Sequence, residues 1–386
     1  MKLAILKGNR FNPWHLRAFT RLPDADITAF HTQPDMQRHH QDTTIEQPFA
    51  MAPIWLDTQA GFLPRRIARA IGTRYFGRPP DIVPFNQRLK GFDLIQTWEL
   101  FTGWSEEAIL AKRRDGTPVC VMVWDNIPFN MERAPGRRER KARVGREADR
   151  FLVHTERSRR TLDIEGVDQA RVIKLDPGVD TQTFSPGPAT RAVFGLDEES
   201  FVILFDGWLL PRKGIDFLLL ALRELVRGPA LHARPVQLLV VGAGPGRDRV
   251  HRLAARLGVA AHCTFAGPLP YARMPDAFRT ADVFVLPSIA TPEWQEPFAM
   301  AMLEAMSCGT PVVSTYSGAI PEMVEDTAQL CQPNDFLALY EVLRAIIEDA
   351  PRRRELGEQG RELALRRYHL DRYTADLARV YNDLLG

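Results

Sequence analysis

The sequence predicts an α/β protein built from two doubly wound Rossmann-like domains. Three observations carry this expectation. Short apolar runs alternate with amphipathic stretches through nearly all of the 386 residues, as parallel strands do when helices cover both faces of their sheet. Ten such runs exceed one comfortable sheet. A Pro/Gly/Thr-rich span without period, "DPGVDTQTFSPGPATRAVFGL", splits the series in two. The expected domains are residues 1–186 and 187–366, followed by a helix over 367–386.

In chain order the first group of strands is "KLAIL", "DLIQTW", "VCVMVW", "RFLVH" and "RVIKL". The second is "FVILFDG", "VQLLVVG", "CTFAG", "DVFVLPS" and "PVVST". Near the end Tyr373, Leu377, Val380 and Leu384 recur at helical spacing, so the last stretch reads as a packed helix. In open sheets of this kind ligands belong at the carboxyl ends of the strands.

Apolar content of 45% and charged content of 25% are those of a globular protein. Residues 1–185 carry 29 basic against 23 acidic side chains and the remainder 21 against 25, too mild an asymmetry to demand nucleic acid. Arg65, Arg66, Arg69, Arg74 and Arg78 lie in one basic segment, "PRRIARAIGTRYFGRPP". It reads either as a solvated helix and loop or as a contact with an anionic membrane. "RRERKARVGREADR" mixes signs and reads as an exposed helix. His154, after "RFLV", reads as a hydrogen-bonded core histidine. Cys120, Cys263, Cys308 and Cys331 form no C-x-x-C pair, which argues for a reducing compartment and against structural zinc. "MKLAILKGNRF" is too short an apolar run for a signal peptide, and no stretch reaches the length of a spanning helix. The expected location is the cytoplasm, with the membrane inner face as a peripheral site if the basic segment docks there.

The turn "VVGAGPGRDRV" tests an oxidoreductase reading. A strand precedes it and a helical pattern follows, but the dinucleotide fingerprint G-x-G-x-x-G is not met. The glycines are Gly242, Gly244 and Gly246, with Arg247 at the third required position. The acidic residue due about 20 positions later is also missing, because that region reads "TFAGPLP".

The most informative stretch is "PEWQEPFAMAMLEAMSCGTPVVST". Pro297 suits a first helical position and pushes Glu296 into the preceding loop, while Gly309 and Pro311 end the helix. That helix is apolar on every face except at Glu304, and a buried carboxylate needs partners. A core arginine is one such partner. A ligand is the other, because helical side chains lean toward the N-terminus and Glu304 therefore reaches back toward Glu296. Between them lie the amides of Phe298, Ala299 and Met300, at a helix start suited to phosphate. A diphosphate there, a diol near Glu304 and a sugar near Glu296 describe a nucleotide sugar. In "DGWLLPRKGIDF", Arg212 and Lys213 oppose the dipole of the next helix unless an anion lies between. They read as a surface pair or as the neutralisers of a leaving diphosphate.

Across residues 200–365 these motifs together resemble the family 4 retaining glycosyltransferases of the GT-B fold. The resemblance rests on R-K-G, "VVGAGP", "FAGPLPYARMPDAFRTADVFVLPS", the E-x7-E pair in "EPFAMAMLE", "EAMSCGTPVVST" and "SGAIPEMVED". The linker "DPGVDTQTF" is similar to the family's P-N-G-V-D segment. The resemblance implies two Rossmann-like domains facing a central cleft, an N-terminal acceptor domain, a C-terminal donor domain and a last helix crossing back. It implies that Arg212 and Lys213 hold the donor diphosphate, Glu304 the ribose and Glu296 the donor sugar. The amides of Phe298, Ala299 and Met300 would support the distal phosphate. Gly8 would line the donor site from the N-terminal loop "KGNRFNPW". The implied donor is a UDP- or GDP-hexose, used without a cofactor or metal and with retention, the leaving phosphate oxygen serving as base.

Several residues depart from the family's pattern. Trp208 replaces an arginine, Ala299 and Ala319 replace glycines, and Gly8 stands without a paired glycine. Trp124 in "VCVMVWDNIPF" stands where relatives carry a histidine that faces the donor sugar. Asp125 follows, either orienting the acceptor hydroxyl or capping a turn. Trp124 and Trp208 keep open the alternative of a catalytically inactive nucleotide-sugar-binding protein.

Overall fold

The computed structural model describes residues 1–8, 13–31, 50–53, 85–228 and 234–386. The chain divides into two compact units, Met1–Asp176 with Asp371–Gly386, and Pro177–Leu370. Each is a doubly wound α/β domain around one parallel sheet.

In unit 1 the strands are β1 (Lys2–Gly8), β2 (Asp26–His31), β3 (Ala50–Pro53), β4 (Leu94–Trp98), β5 (Val119–Val123), β6 (Arg150–Val153) and β7 (Val172–Lys174). Their order is β3-β2-β1-β4-β5-β6-β7, and every pairing is parallel. The order reverses between β1 and β4, which places a crevice beyond their carboxyl ends. The helix Gly103–Asp115 covers one face, where Trp104, Ala108 and Ile109 join Ala4, Leu6, Ile95, Val121 and Val123 in one buried cluster. Thr102 starts that helix by accepting from the Ser105 amide, and Gly116 ends it in the left-handed conformation.

The last helix, Leu370–Leu385, belongs to unit 1. Tyr373, Leu377 and Val380 are buried as their spacing predicts, and Leu384 is half-buried. The Tyr381 hydroxyl, also buried, donates to Gln96 Oε1 at 2.7 Å on β4. The first division falls at Asp176/Pro177, ten residues before the sequence-based boundary. Residues 177–186 are drawn into unit 2 by bonds from Val179 N to Tyr368 O (2.7 Å) and from Leu370 N to Val179 O (3.0 Å). Phe184, fully buried, adds edge contacts to Tyr271 and Phe278.

Two expectations meet different outcomes. His154 is a core histidine, with Nδ1 2.9 Å from Leu175 O and its ring against Tyr373. Burial pushes its pKa down to about 4, against the opposing Leu175 carbonyl and Asp176 charge. The unfolded chain therefore binds more protons between about pH 6.5 and 4. Stability from the neutral ring is complete above the unfolded value and lost as pH falls toward the folded one. His154→Gln, which keeps a donor for Leu175, should flatten this part of the melting-temperature profile, a change on the order of 3 kcal/mol at pH 4. The helix Arg137–Glu147, by contrast, is not simply exposed. Arg140 and Lys141 are buried, because Glu106 binds Arg140 at 2.9 Å and Glu165 takes Lys141. The partners lie on the helix Gly103–Asp115 and just past the end of the helix Glu156–Ile164, so local charge alternation does not reveal them.

Unit 2 contains β8 (Phe201–Asp206), β9 (Val236–Val241), β10 (Cys263–Gly267), β11 (Val283–Leu286), β12 (Val312–Thr315) and β13 (Ala328–Cys331). Their order, β10-β9-β8-β11-β12-β13, is again parallel throughout and reverses between β8 and β11. The glycine turn after β9 is explained by backbone packing. Gly242 has φ +124°, and a Cβ there would lie 2.1 Å from Gly207 O, in the loop after β8. Leu209 N donates to Ala243 O and Gly246 N to Leu209 O, so the two loops are laced together. Among the described residues no helix is long and apolar enough to cross a membrane. Arg65, Arg66, Arg69, Arg74 and Arg78 lie outside the described residues.

Candidate functional site

Of the sequence-predicted residues of unit 2, Arg212, Lys213 and Glu296 come together beyond the carboxyl ends of β8 and β11, at the reversal of strand order. Pro211–Lys213 forms a single 3₁₀ turn after β8, and Gly214, at φ +73°, leads into the helix Ile215–Arg227. That turn places Lys213 Nζ 3.0 and 2.8 Å from the two carboxylate oxygens of Glu296. Ser288, just past β11, donates to Glu296 Oε2 at 2.7 Å. Glu296 is 2% exposed, so its charge depends on neighbouring polar groups such as these rather than on water.

Backbone contacts fix the Glu296 loop. Ala319 N donates to Glu296 O at 2.9 Å, and Gly318, at φ +57°, lies so close that a Cβ would fall 2.1 Å from the same oxygen. Only glycine permits that approach in that conformation. Arg212 sits beside the pair, its guanidinium carbon 4.1 Å from the centre of the Trp294 ring. Burial lowers the Arg212 pKa and the Glu296 charge opposes the shift. Asp206, the last residue of β8, has its pKa pushed up to about 7 by burial, against the charge of Lys213.

The helix after Glu296 begins later than Pro297 suggests. It runs Met300–Ser307, with Ala299 as a cap residue whose side chain makes no capping bond. Phe298, Ala299 and Met300 are buried at its start. Their amides thus stand on the approach to the first turn, with Pro297 in the loop before it. Glu304 is buried as expected. Tyr271 donates to Glu304 Oε1 at 2.8 Å. Ser288, Tyr271 and Trp294 were not singled out from the sequence; Tyr271 lies 33 residues from its partner, with no periodic signal joining them.

In unit 1, Gly8 ends β1, where the register with β2 shifts between Leu6 and Gly8. Residues 9–12 of that loop lie outside the described residues. Asp125 Oδ1 accepts from Ile127 N (3.3 Å) and Asn130 Nδ2 (3.0 Å), the turn-capping role. Its Oδ2 is buried with no hydrogen-bond partner among the described residues. Trp124 N donates to Glu99 Oε1 at 3.0 Å, and Lys7 Nζ lies 4.4 Å from the centre of the Trp124 ring.

Two doubly wound domains are the architecture of the GT-B class, and here unit 2 adds paired cations and a buried carboxylate at its strand-order reversal. Residues 188–363 match the family of glycosyl transferases group 1. Among curated proteins, the chain is 35% identical over 230 residues to D-inositol 3-phosphate glycosyltransferase 2 of Catenulispora acidiphila, covering 57% of this chain and 52% of the relative. It is also 35% identical over 189 residues to D-inositol 3-phosphate glycosyltransferase of Mycobacterium tuberculosis, covering 47% of this chain and 36% of the relative. The matches thus span about half or less of these relatives' length.

Solved structures share the fold over the whole chain. The Anabaena protein Alr3699/HepE, solved with UDP and glucose, superposes with TM-score 0.78 at 19% identity, covering 100% of both chains. Sucrose-phosphate synthase from Thermosynechococcus elongatus gives 0.77 at 20% identity, covering 100% of this chain and 99% of the other.

Proposed function

We propose that the protein transfers a hexose from a nucleoside diphosphate sugar to a hydroxyl acceptor, with retention and without a metal. The observation that carries this is the buried Glu296 carboxylate clamped by Lys213 and Ser288, with Arg212 alongside. Two cations at a strand-order reversal suit a diphosphate leaving group. In this reading Arg212 and Lys213 hold the diphosphate, and the amides of Phe298, Ala299 and Met300 support its distal phosphate. Glu304 takes the ribose hydroxyls in concert with Tyr271. Glu296, fixed by Lys213, hydrogen-bonds the sugar, and Gly8 is a further donor-binding residue in this reading. The acceptor oxygen attacks the anomeric carbon on the face from which the diphosphate departs. Its proton passes to the leaving phosphate oxygen.

Unit 1 is the acceptor-binding part in this reading, with Asp125 near the attacking hydroxyl, and the Leu370–Leu385 helix ties the donor unit's chain back to it. UDP- and GDP-hexoses are the donor candidates. UDP-glucose is the first to test, because Alr3699/HepE has been solved with it. Arg65, Arg66, Arg69 and Arg74 are proposed as the contact with an anionic membrane at its inner face, should the acceptor be a lipid. Proton NMR of a reaction with UDP-glucose and a polyol panel tests the function. The expected product keeps the α configuration of the donor, and a β product would exclude retention.

A further inference from the structure

Beyond the carboxyl ends of β1, β4 and β5, unit 1 holds a second cluster of buried polar groups. It lies where the strand order of that sheet reverses, the position at which open α/β sheets bind ligands. Lys7 comes from β1, Trp98 ends β4, Glu99 follows it, and Trp124 and Asp125 follow β5. The Trp98 and Trp124 rings meet edge to face at 6.4 Å, and the Lys7 ammonium lies 5.5 and 4.4 Å from their centres.

Glu99 is held in place from several directions. Its backbone adopts φ +61°, a left-handed conformation uncommon for a residue with a side chain. Glu99 N donates to Met122 O at 2.8 Å, and the hydroxyls of Thr102 and Ser105 both donate to Glu99 O. Its Oε1 accepts from Trp124 N. Strained backbone so fully determined by its surroundings clusters at functional sites.

Three atoms of the cluster are buried with no hydrogen-bond partner among the described residues: Glu99 Oε2, Asp125 Oδ2 and Trp98 Nε1. Buried polar atoms are ordinarily paired, so three orphans in one crevice call for a ligand. Burial and the charge of Asp125 push the Glu99 pKa up to about 8, while the amides of Trp124 and Asp125 and the charge of Lys141 oppose the shift. Glu99 Oε2 accordingly offers a proton near neutral pH, Trp98 Nε1 offers another, and Asp125 Oδ2 accepts.

We propose that this crevice binds an uncharged polyhydroxylated acceptor, with Glu99 and Trp98 donating to its hydroxyl oxygens and Asp125 accepting from a hydroxyl. A hydroxyl is both donor and acceptor, so neighbouring hydroxyls match such a mixed set. The half-buried Trp124 indole beside these atoms suits the C–H faces of a sugar or cyclitol. An acceptor phosphate is the poorer match, because the single Lys7 ammonium of the cluster stands beside two carboxyl groups, Glu99 and Asp125, that would face the anion. The assignment rests on the glycosyl-transfer reading and names its acceptor class.

The test measures binding of myo-inositol, glucose and D-inositol 3-phosphate to the full chain by saturation-transfer NMR, with UDP-induced thermal shift recorded alongside. Wild type, Glu99→Gln, Glu99→Leu and Trp98→Phe are compared. Myo-inositol or glucose should bind wild type, and the phosphate ester no better. Glu99→Gln, whose amide can donate to the same hydroxyl, should bind nearly as well. Glu99→Leu and Trp98→Phe should each weaken binding by about tenfold, while the UDP shift stays constant. Equal polyol affinity in all four proteins, or binding of the phosphate ester alone, overturns the assignment. A UDP shift without polyol binding overturns this site and leaves the transferase reading standing. Polyol binding that follows the expected order without any nucleotide shift supports the polyol site and overturns the transferase reading.

Discussion

Lys213→Ala should lower donor turnover by about 10² to 10³-fold and destabilise the protein by about 3 kcal/mol. Both effects come from one geometry. Lys213 contacts both oxygens of a Glu296 that is 2% exposed, so deleting it removes the ammonium that spans the carboxylate and leaves the charge buried. Breaking a buried pair costs more than the pair contributes, because the surviving charge stays desolvated. Arg212, close enough to feel the Glu296 charge, places the loss at the lower end. The double substitution Lys213→Met with Glu296→Gln separates the two roles. It removes both charges at nearly constant volume and should restore most of the melting temperature. Turnover should remain low, because no ammonium faces the diphosphate. Thermal denaturation and donor consumption measured on the same samples check this, and recovered turnover in the double variant would show that the pair is structural only.

Much of the fold was legible because buried parallel strands write themselves as continuous apolar runs. All ten expected strands are present, from "KLAIL" at β1 to "PVVST" at β12. The three not anticipated are β2, β3 and β13. β2 reads "DITAFH" and β13 "AQLC", where polar residues interrupt the apolar run, and β3, at a sheet edge, is only the four residues "AMAP". The start of the helix after Glu296 was misplaced by three residues, since Pro297 is compatible with a first helical turn without requiring one.

At the site, Arg212, Lys213, Glu296 and Glu304 stood out because charges in apolar or helix-opening positions need explanation. Their partners did not. Ser288, Tyr271 and Trp294 come from loops that only the folded sheet brings near, and each is an ordinary residue in its local context. The orphaned atoms of Glu99 and Asp125 were equally silent, because burial of a single oxygen depends on the packing of β1, β4 and β5 together.

The central claim is that unit 2 binds a nucleoside diphosphate through the groups gathered at β8 and β11. Thermal shift with UDP, GDP, ADP and NAD on wild type, Arg212→Ala and Glu304→Ala tests it most directly. A ligand present at about 100 times its dissociation constant stabilises the folded state by about 2.7 kcal/mol. The account predicts a shift of that size with UDP or GDP on wild type, abolished in Arg212→Ala and strongly reduced in Glu304→Ala. A shift with NAD alone, or an undiminished diphosphate shift in both variants, would contradict it.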